Sequence, residues 1–174
     1  FKHQIKELYE LAKTKSTPVC LLIKKGVLSK IDNNYNDPSY LTLTREEAIK
    51  IILKYDKRDR VYVASTGMIS RELYEIREQL KQNHNRDFLT VGSMGHASSI
   101  ALGLSLSRPE IIVTCLDGDG AYLMHMGGSA ILAAHGKHNI RHIILNNFRH
   151  DSVGGQPTCS SGIDIKSLAV SLGY

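Results

Sequence analysis

The sequence predicts an α/β protein with a doubly wound, mainly parallel sheet and helices on both faces. Two observations carry that prediction. Short apolar runs, at Val61–Ala64, Phe88–Val91, Ile111–Leu116 and Ile143–Leu145, alternate with segments of helical spacing, the order from which parallel sheets are built. Four runs exit into polar or glycine turns: Ser65-Thr66-Gly67, Gly92-Ser93-Met94-Gly95, Gly118-Asp119-Gly120 and Asn146-Asn147. In a parallel sheet such turns share one edge, the edge at which ligands bind.

Taken in order, residues 2–14 place Ile5, Leu8, Tyr9, Leu11 and Ala12 at helical spacing. Pro18–Ile23 reads as a buried strand. Residues 26–43 then dissolve into Asn33-Asn34-Tyr35-Asn36-Asp37-Pro38, a linker by composition. Residues 1–43 are therefore expected to be the tail of a preceding domain plus a linker, with the main domain at 44–174. Thr44-Arg45-Glu46-Glu47 is a capping box that starts a helix to about Lys54. After strand 61–64, Ser70 is expected to cap a helix that buries Leu73, Ile76 and Leu80. Strand 88–91 leads through the Gly92–Gly95 turn into His96–Ser107, a small-residue helix suited to close packing on a sheet, which Pro109 ends. Strand 111–116, a glycine turn, one helix over 121–135, strand 141–146, a loop over 147–163 and a helix over 167–172 complete the order. The chain starts at Phe1 without Met and its last helix is only ending at Tyr174, so the main domain is expected to be cut short there.

The composition narrows the function classes. A chain of 174 residues is long enough for one domain with a real core. Its 42% hydrophobic and 22% charged residues are an ordinary globular balance. The net charge of +5 is spread over both halves, without the clustered basic face that nucleic acid requires; a protein handling small anions accounts for it. No signal peptide or transmembrane segment is visible, so no membrane partner is expected. Three cysteines without metal-type spacing argue against a disulfide framework and suit a reduced, cytoplasmic setting. Cys20 and Cys115 sit in apolar runs and read as small buried hydrophobes.

The chemistry lies in the turns. A carboxylate at Asp119 is a hard ligand for Mg²⁺, and the amides of Gly120 and Ala121 point at an anion. The amide oxygen of Asn147 and a backbone carbonyl just after it complete a plausible set. Taken alone, each motif is more simply a helix cap and a turn. Taken together, each after a strand and one helix–strand unit apart, they point to a Mg²⁺–diphosphate site.

Gly118-Asp119-Gly120 followed by Asn146-Asn147 resembles the fingerprint of the thiamine diphosphate-dependent enzymes. The resemblance implies a thiamine diphosphate-binding fold, with Mg²⁺ held by Asp119, Asn147 and the backbone oxygen of Arg149. It implies cofactor contacts at Thr66, Gly67, Gly92, Ser93, Met94, Gly118, Asp119, Gly120, Ala121, Asn147 and Ser152. Met94 would prop the cofactor in its bent form, and the Gly92 carbonyl would accept its 4′-amino group. Ser93-Met94-Gly95-His96-Ala97, Leu116–Ala121 with Met124-His125-Met126-Gly127, Thr66-Gly67-Met68 with Ser70–Leu73, and His150–Thr158 further resemble the phosphonopyruvate decarboxylases, from about Pro18 to Tyr174. One departure is Phe148-Arg149, which stands where two small residues are expected; the spacing is kept.

The activity so implied is decarboxylation of 3-phosphonopyruvate, a small anionic 2-oxo acid, to phosphonoacetaldehyde and CO₂, with the thiazolium as electron sink. His150 and His96 are the candidate catalytic residues. Asp151, Ser152 and Gln156 would orient His150 or meet the phosphonate, and His125 is as readily structural as functional. The glutamate that activates the cofactor has no counterpart here. It is implied on a pyrimidine-binding domain of the same or a partner chain, so this chain alone is expected to be inactive and its parent a homo-oligomer. Sulfopyruvate decarboxylase, whose cofactor-binding half can be a separate subunit, is the nearest alternative. A non-catalytic Mg²⁺-nucleotide module would leave Met94 between its glycines unexplained, and a structural domain without ligand would leave the four turns so.

Overall fold

The computed structural model describes residues 1–29, 42–56, 60–136 and 138–174. The chain divides into two units, Phe1–Asn34 and Tyr35–Tyr174. In the first, helix α1 (Lys2–Lys15) covers the expected span and ends on Ser16 in the left-handed conformation. The strand expected at Pro18–Ile23 is not formed: residues 17–24 are exposed and neither helical nor extended in a sheet. A strand needs a neighbour to satisfy its backbone groups, and none of the described residues pairs with this stretch. Cys20 is exposed, not the buried hydrophobe expected. The Asn33–Pro38 linker lies outside the described residues.

The second unit is built on a parallel sheet of β1 (Arg60–Ala64), β2 (Asp87–Leu89), β3 (Ile112–Gly118) and β4 (Ile140–Leu145), in the order β2–β1–β3–β4. The chain runs outward from β1 to β2, then crosses back to β3 on the other side of β1. The order thus reverses between the carboxyl ends of β1 and β3, where Ser65 N–H donates to the Leu116 carbonyl at 2.8 Å. That crevice is where doubly wound sheets take ligands. β2 is shorter than the expected 88–91, and Val91 lies 95% exposed in the turn beyond it. β3 runs further than expected and carries Asp117 and Gly118 within the strand.

Helix α2 (Arg45–Tyr55) starts in the expected capping box, with Thr44 N–H donating to the Glu47 carboxylate at 2.8 Å and the Thr44 hydroxyl accepting from Glu47 N–H. Helix α3 (Met68–Gln79) begins earlier than expected, after Gly67. Ser70 is already inside it and its hydroxyl turns back to the Ala64 and Ser65 carbonyls. The buried stripe is Ile69, Leu73 and Ile76, one helical face; Leu80, expected there, is 51% exposed just past the helix end. Together α2 and α3 cover Tyr62, Ala64 and Leu116 on one face of the sheet. On the other face, helix α4 (Ala97–Ser107) brings Ala97 and Ala101 against Val63, Val113 and Cys115. Alternate residues of β1 and β3 therefore serve opposite cores, as strand geometry requires.

The single helix expected over 121–135 is two, α5 (Asp119–Met124) and α6 (Gly128–His135). Gly127 and Gly128 are poor helix residues and mark the break. The stretch expected to be a plain loop, 147–163, is ordered. It pairs β5 (Arg149–His150) antiparallel with β6 (Gln156–Pro157) and adds two 3₁₀ turns, Asp151–Val153 and Cys159–Gly162. Helix α7 (Ile165–Leu172) follows, capped by the Asp164 side chain, which accepts from Ser167 N–H at 3.0 Å. Among the described residues, no helix is long and apolar enough to cross a membrane.

Candidate functional site

Because β3 continues to Gly118, Asp119 becomes the first residue of α5, 2% exposed at the carboxyl edge of the sheet. A carboxylate so buried needs donors. The Thr158 and Ser160 hydroxyls supply them, and both go to Oδ2, Ser160 at 2.7 Å. Among the described residues Oδ1 receives no hydrogen bond, so it is the oxygen this carboxylate can offer a cation.

At the exit of β4, Asn146 and Asn147 each bend the chain back on itself. Phe148 N–H donates to Asn146 Oδ1 at 3.1 Å and Arg149 N–H to Asn147 Oδ1 at 3.2 Å, two successive side-chain turns. They hold Phe148 in the left-handed region at φ 62°, where a side chain costs about 1–2 kcal/mol. That cost is a physical reason to expect a small residue at this position. Arg149 then opens β5, and Thr158 N–H donates to the Phe148 carbonyl at 2.8 Å. The hairpin so closed is what delivers the Thr158 and Ser160 hydroxyls to Asp119.

Two glycines admit this segment to the sheet edge. A Cβ on Gly120 would stand 2.5 Å from His150 Cε1 and 2.6 Å from its Nδ1, so the imidazole rests on the bare backbone of α5. A Cβ on Gly67, itself at φ 98°, would stand 3.0 Å from Ser152 Oγ. The Thr66 hydroxyl donates to the Val91 carbonyl at 2.8 Å and ties the β1 exit to the Gly92–Gly95 turn. In that turn Ser93 and Gly95 both have positive φ, 54° and 86°, and Met94 is held between them.

One cleft is lined by Thr66, Met94, Gly118, Asp119, Gly120, Ala121, Asn147, Arg149, His150 and Ser152, the majority of the residues expected at the site. Gly67 lines an adjoining cleft with Thr66, and Gly92 and Ser93 belong to the Met94 turn. His96 is not in the lining: its ring lies against that of His125, centroids 4.0 Å apart. Gly95 makes room for this pair, since a Cβ there would stand 2.6 Å from the His125 ring. Asp151 meets Asn147 and Arg45, and Gln156 is exposed on β6.

Four contributors were not legible as site residues: Arg45, Glu72, Thr158 and Ser160. Arg45 also lines the cleft. Its Nε and Nη2 fork onto Glu72 at 2.8 and 2.7 Å, and its Nη1 reaches Asp151 at 2.7 Å. The Glu72 hydrogen bond, and after it the Asp151 one, holds the guanidinium above its already high ordinary pKa against partial burial. On the opposite face of the sheet, His142 Nε2 lies 3.3 Å from Asp117 Oδ2, both side chains almost wholly buried. Burial, and then the Asp117 charge, pushes the adjacent Cys115 thiol well up. It stays protonated and acts as the small buried hydrophobe expected.

Asp119, Asn147 and Arg149 all line the cleft, and the oxygens they carry, a carboxylate, an amide and a backbone carbonyl, are hard oxygens, the type Mg²⁺ takes. Gly118 and Gly120 line the same cleft, where an anionic group would sit beside such an ion. The residues present fit a Mg²⁺–diphosphate pair.

Residues 65–168 match the family described as thiamine pyrophosphate enzyme, C-terminal TPP binding domain. The chain is 40% identical over 131 residues to phosphonopyruvate decarboxylase of Streptomyces viridochromogenes, a match that covers 75% of this chain and 32% of that protein. It is also 40% identical over 134 residues to sulfopyruvate decarboxylase subunit beta of Methanothermobacter thermautotrophicus, covering 77% of this chain and 69% of that one. Among solved structures, benzoylformate decarboxylase from Polynucleobacter necessarius shares the fold with a TM-score of 0.58, at 17% identity over 80% of this chain and 29% of that one. The chain therefore spans about a third of the length of the first relative and about two thirds of the second.

Proposed function

We propose, because the chain belongs to the thiamine pyrophosphate enzymes as their C-terminal TPP binding domain, that it holds the diphosphate end of thiamine diphosphate in a decarboxylase of the phosphonopyruvate or sulfopyruvate type. The observation that carries this reading is the meeting of three strand exits in one cleft, Thr66 after β1, Asp119 after β3 and Asn147 after β4, with Met94 beside them. Asp119 Oδ1, the Asn147 amide oxygen and the Arg149 carbonyl would hold Mg²⁺. Bound thiamine diphosphate supplies an electron sink for the pair released as CO₂ leaves. The chain's own residues do the placing. Thr158 and Ser160 fix the Asp119 carboxylate, Met94 offers an apolar prop between two backbone turns, and His150 presents an imidazole at the cleft to an anionic acid. The activating glutamate comes from a pyrimidine-binding domain of the same or a partner chain, and the working enzyme is a homo-oligomer or a complex of two subunits.

The preferred substrate is 3-phosphonopyruvate, on the strength of the His150–Thr158 stretch that packs on Gly120 and Asp119. Sulfopyruvate is the second reading, favoured by a relative of equal identity of which the chain covers 69%. Steady-state CO₂ release by the intact enzyme on both acids separates them. A kcat/KM at least about tenfold higher on the phosphonate, roughly 1.4 kcal/mol in transition-state binding, supports the first reading, and the reverse ratio the second. Turnover of neither acid with thiamine diphosphate and Mg²⁺ overturns both. Calorimetry adds a binding arm: cofactor affinity should collapse when Mg²⁺ is chelated, whereas tight ATP or GDP binding in its place would favour a nucleotide module.

A further inference from the structure

We propose that Arg45 and Asp151 are positioning residues that set which end of the Asn147 amide faces the metal site, an inference that rests on the Mg²⁺ reading above. Asp151 Oδ2 accepts two hydrogen bonds at once, from Arg45 Nη1 at 2.7 Å and from Asn147 Nδ2 at 2.7 Å. A carboxylate has no proton to give, so the end of the amide that meets it must be the NH₂. The oxygen is then at the other end, and there it accepts Arg149 N–H at 3.2 Å. The Asn147 amide is thus fixed from both ends, with its oxygen on the side of Arg149, whose own carbonyl is the third candidate ligand. Without Asp151 the NH₂ loses a charged acceptor and only the Arg149 N–H still selects the oxygen's side, so the flipped amide, which offers the cation a nitrogen that cannot bind it, becomes more populated.

Asp151 would not hold this role unaided. It sits at the start of a 3₁₀ turn with its side chain 34% exposed. Arg45 fastens it to the body of the fold. Two of the guanidinium nitrogens fork onto Glu72 of α3, and Arg45 itself is the first residue of α2, inside the capping box. The Arg45 and Glu72 side chains are only 16% and 13% exposed, so the group that reaches Asp151 is pre-placed, not a loose surface cation. The line of contacts runs from Glu72 through Arg45 and Asp151 to Asn147. A metal-ligand side chain is commonly oriented by such outer contacts, and losing one typically costs about 10–100-fold in metal affinity.

The test is a Mg²⁺ titration of the intact enzyme by calorimetry, with thiamine diphosphate held in excess. Asp151→Ala and Arg45→Met should each raise the Mg²⁺ dissociation constant about 10–100-fold, and high Mg²⁺ should restore cofactor binding, which a folding defect would not allow. Since both act through one carboxylate oxygen, the double variant should be little worse than Asp151→Ala alone. Arg45→Lys, which cannot span Glu72 and Asp151 together, should fall between wild type and Arg45→Met; it also serves as the measure if Asp151→Ala does not fold. Asp119→Ala is the control that separates the two levels. If Asp119→Ala keeps its Mg²⁺ affinity, the metal reading itself fails. If Asp119→Ala loses Mg²⁺ but Asp151→Ala and Arg45→Met stay within twofold of wild type, or if their effects multiply in the double variant, the positioning role is overturned.

Discussion

Replacing Gly120 by alanine tests the junction on which the site depends. The new Cβ would stand 2.5 Å from the His150 ring, against an ordinary contact of 3.4 Å or more, so the imidazole must retreat by close to 1 Å. Thr158 Cγ2, 3.3 Å from the same new Cβ, must also give slightly. For stability two effects oppose. Alanine is favoured over glycine in a helix by about 1 kcal/mol, while overpacking costs about 1–3 kcal/mol. The net is a loss of about 0–2 kcal/mol, a fall in melting midpoint of no more than about 8 °C for a domain of this size. For function nothing offsets the displacement. A shift of about 1 Å in a positioned group can cost about 100-fold, and the loop that moves with His150 also carries Asn147 and Thr158. The assay pairs thermal unfolding with calorimetric titration of thiamine diphosphate and Mg²⁺ into the intact enzyme, and Gly127→Ala is the matched control. Gly127 has a helical φ of −60°, and nothing stands within 4 Å of its would-be Cβ, so alanine there should be neutral or add about 0.4–1 kcal/mol. Wild-type cofactor affinity and turnover in Gly120→Ala would refute the reasoning, because His150 would then not be seated on α5.

Thr158→Val removes one of two hydroxyl donors to the buried Asp119 Oδ2; a hydrogen bond to a charged group is worth about 1.5–3 kcal/mol, and a urea-unfolding loss below about 0.5 kcal/mol would count against that contact. Leu73→Ala opens a hole at a fully buried position between α3 and the sheet and should cost about 2–5 kcal/mol in the same measurement; a loss under about 1 kcal/mol would mean that α3 does not pack there. Thr44→Ala should cost about 1 kcal/mol through loss of the α2 cap and also change the acid response. The Thr44 backbone N–H first, and its hydroxyl second, hold the Glu47 carboxyl below its ordinary value. A depressed carboxyl adds stability that is complete above the ordinary value and lost as pH falls through the lowered one. Alanine keeps the N–H and removes the hydroxyl, so the acid-side slope should weaken without vanishing; an unchanged slope in stability measured against pH would argue against the hydroxyl's part.

The elements that were readable from sequence are those with local causes. Apolar runs followed by glycine or asparagine located all four strands of the sheet, and Thr44 with Glu47 located the start of α2. Errors arose where a local signal met a competing one. Ser70 looked like a cap, but Gly67 can take φ 98° and lets α3 begin first. The apolar spacing over 121–135 continues across Gly127-Gly128, but the two glycines mark the break that separates α5 from α6. Pro18–Ile23 has strand composition without a strand beside it among the described residues. The largest gap is the 147–163 segment, read as a loop because its order comes from distant partners. Thr158 and Ser160 are held by Asp119, 39 and 41 positions away. Arg45 lies 106 positions from Asp151. No spacing rule links residues so far apart, and Arg45 in particular has no function in the capping box where it stands.

The two groups proposed as side-chain metal ligands share one design. Asp119 has Oδ2 engaged by Thr158 and Ser160, and Asn147 has its nitrogen engaged by Asp151. Among the described residues Asp119 Oδ1 receives no hydrogen bond, and the Asn147 oxygen, which accepts Arg149 N–H, keeps a second lone pair. All the engaging groups lie in the segment that follows β4, not in the sheet. The sheet therefore fixes where the two side chains start, and the segment fixes how they point. If the cation binds only when both point correctly, binding it also selects the ordered hairpin, and metal affinity and segment order become one equilibrium. Arg45 then matters beyond its own two contacts, because it is the group that joins this segment to α2 and α3. Damage at Arg45 should reach the metal through the hairpin while the sheet, with Leu116, Val63 and Val113 fully buried in its core, stays intact.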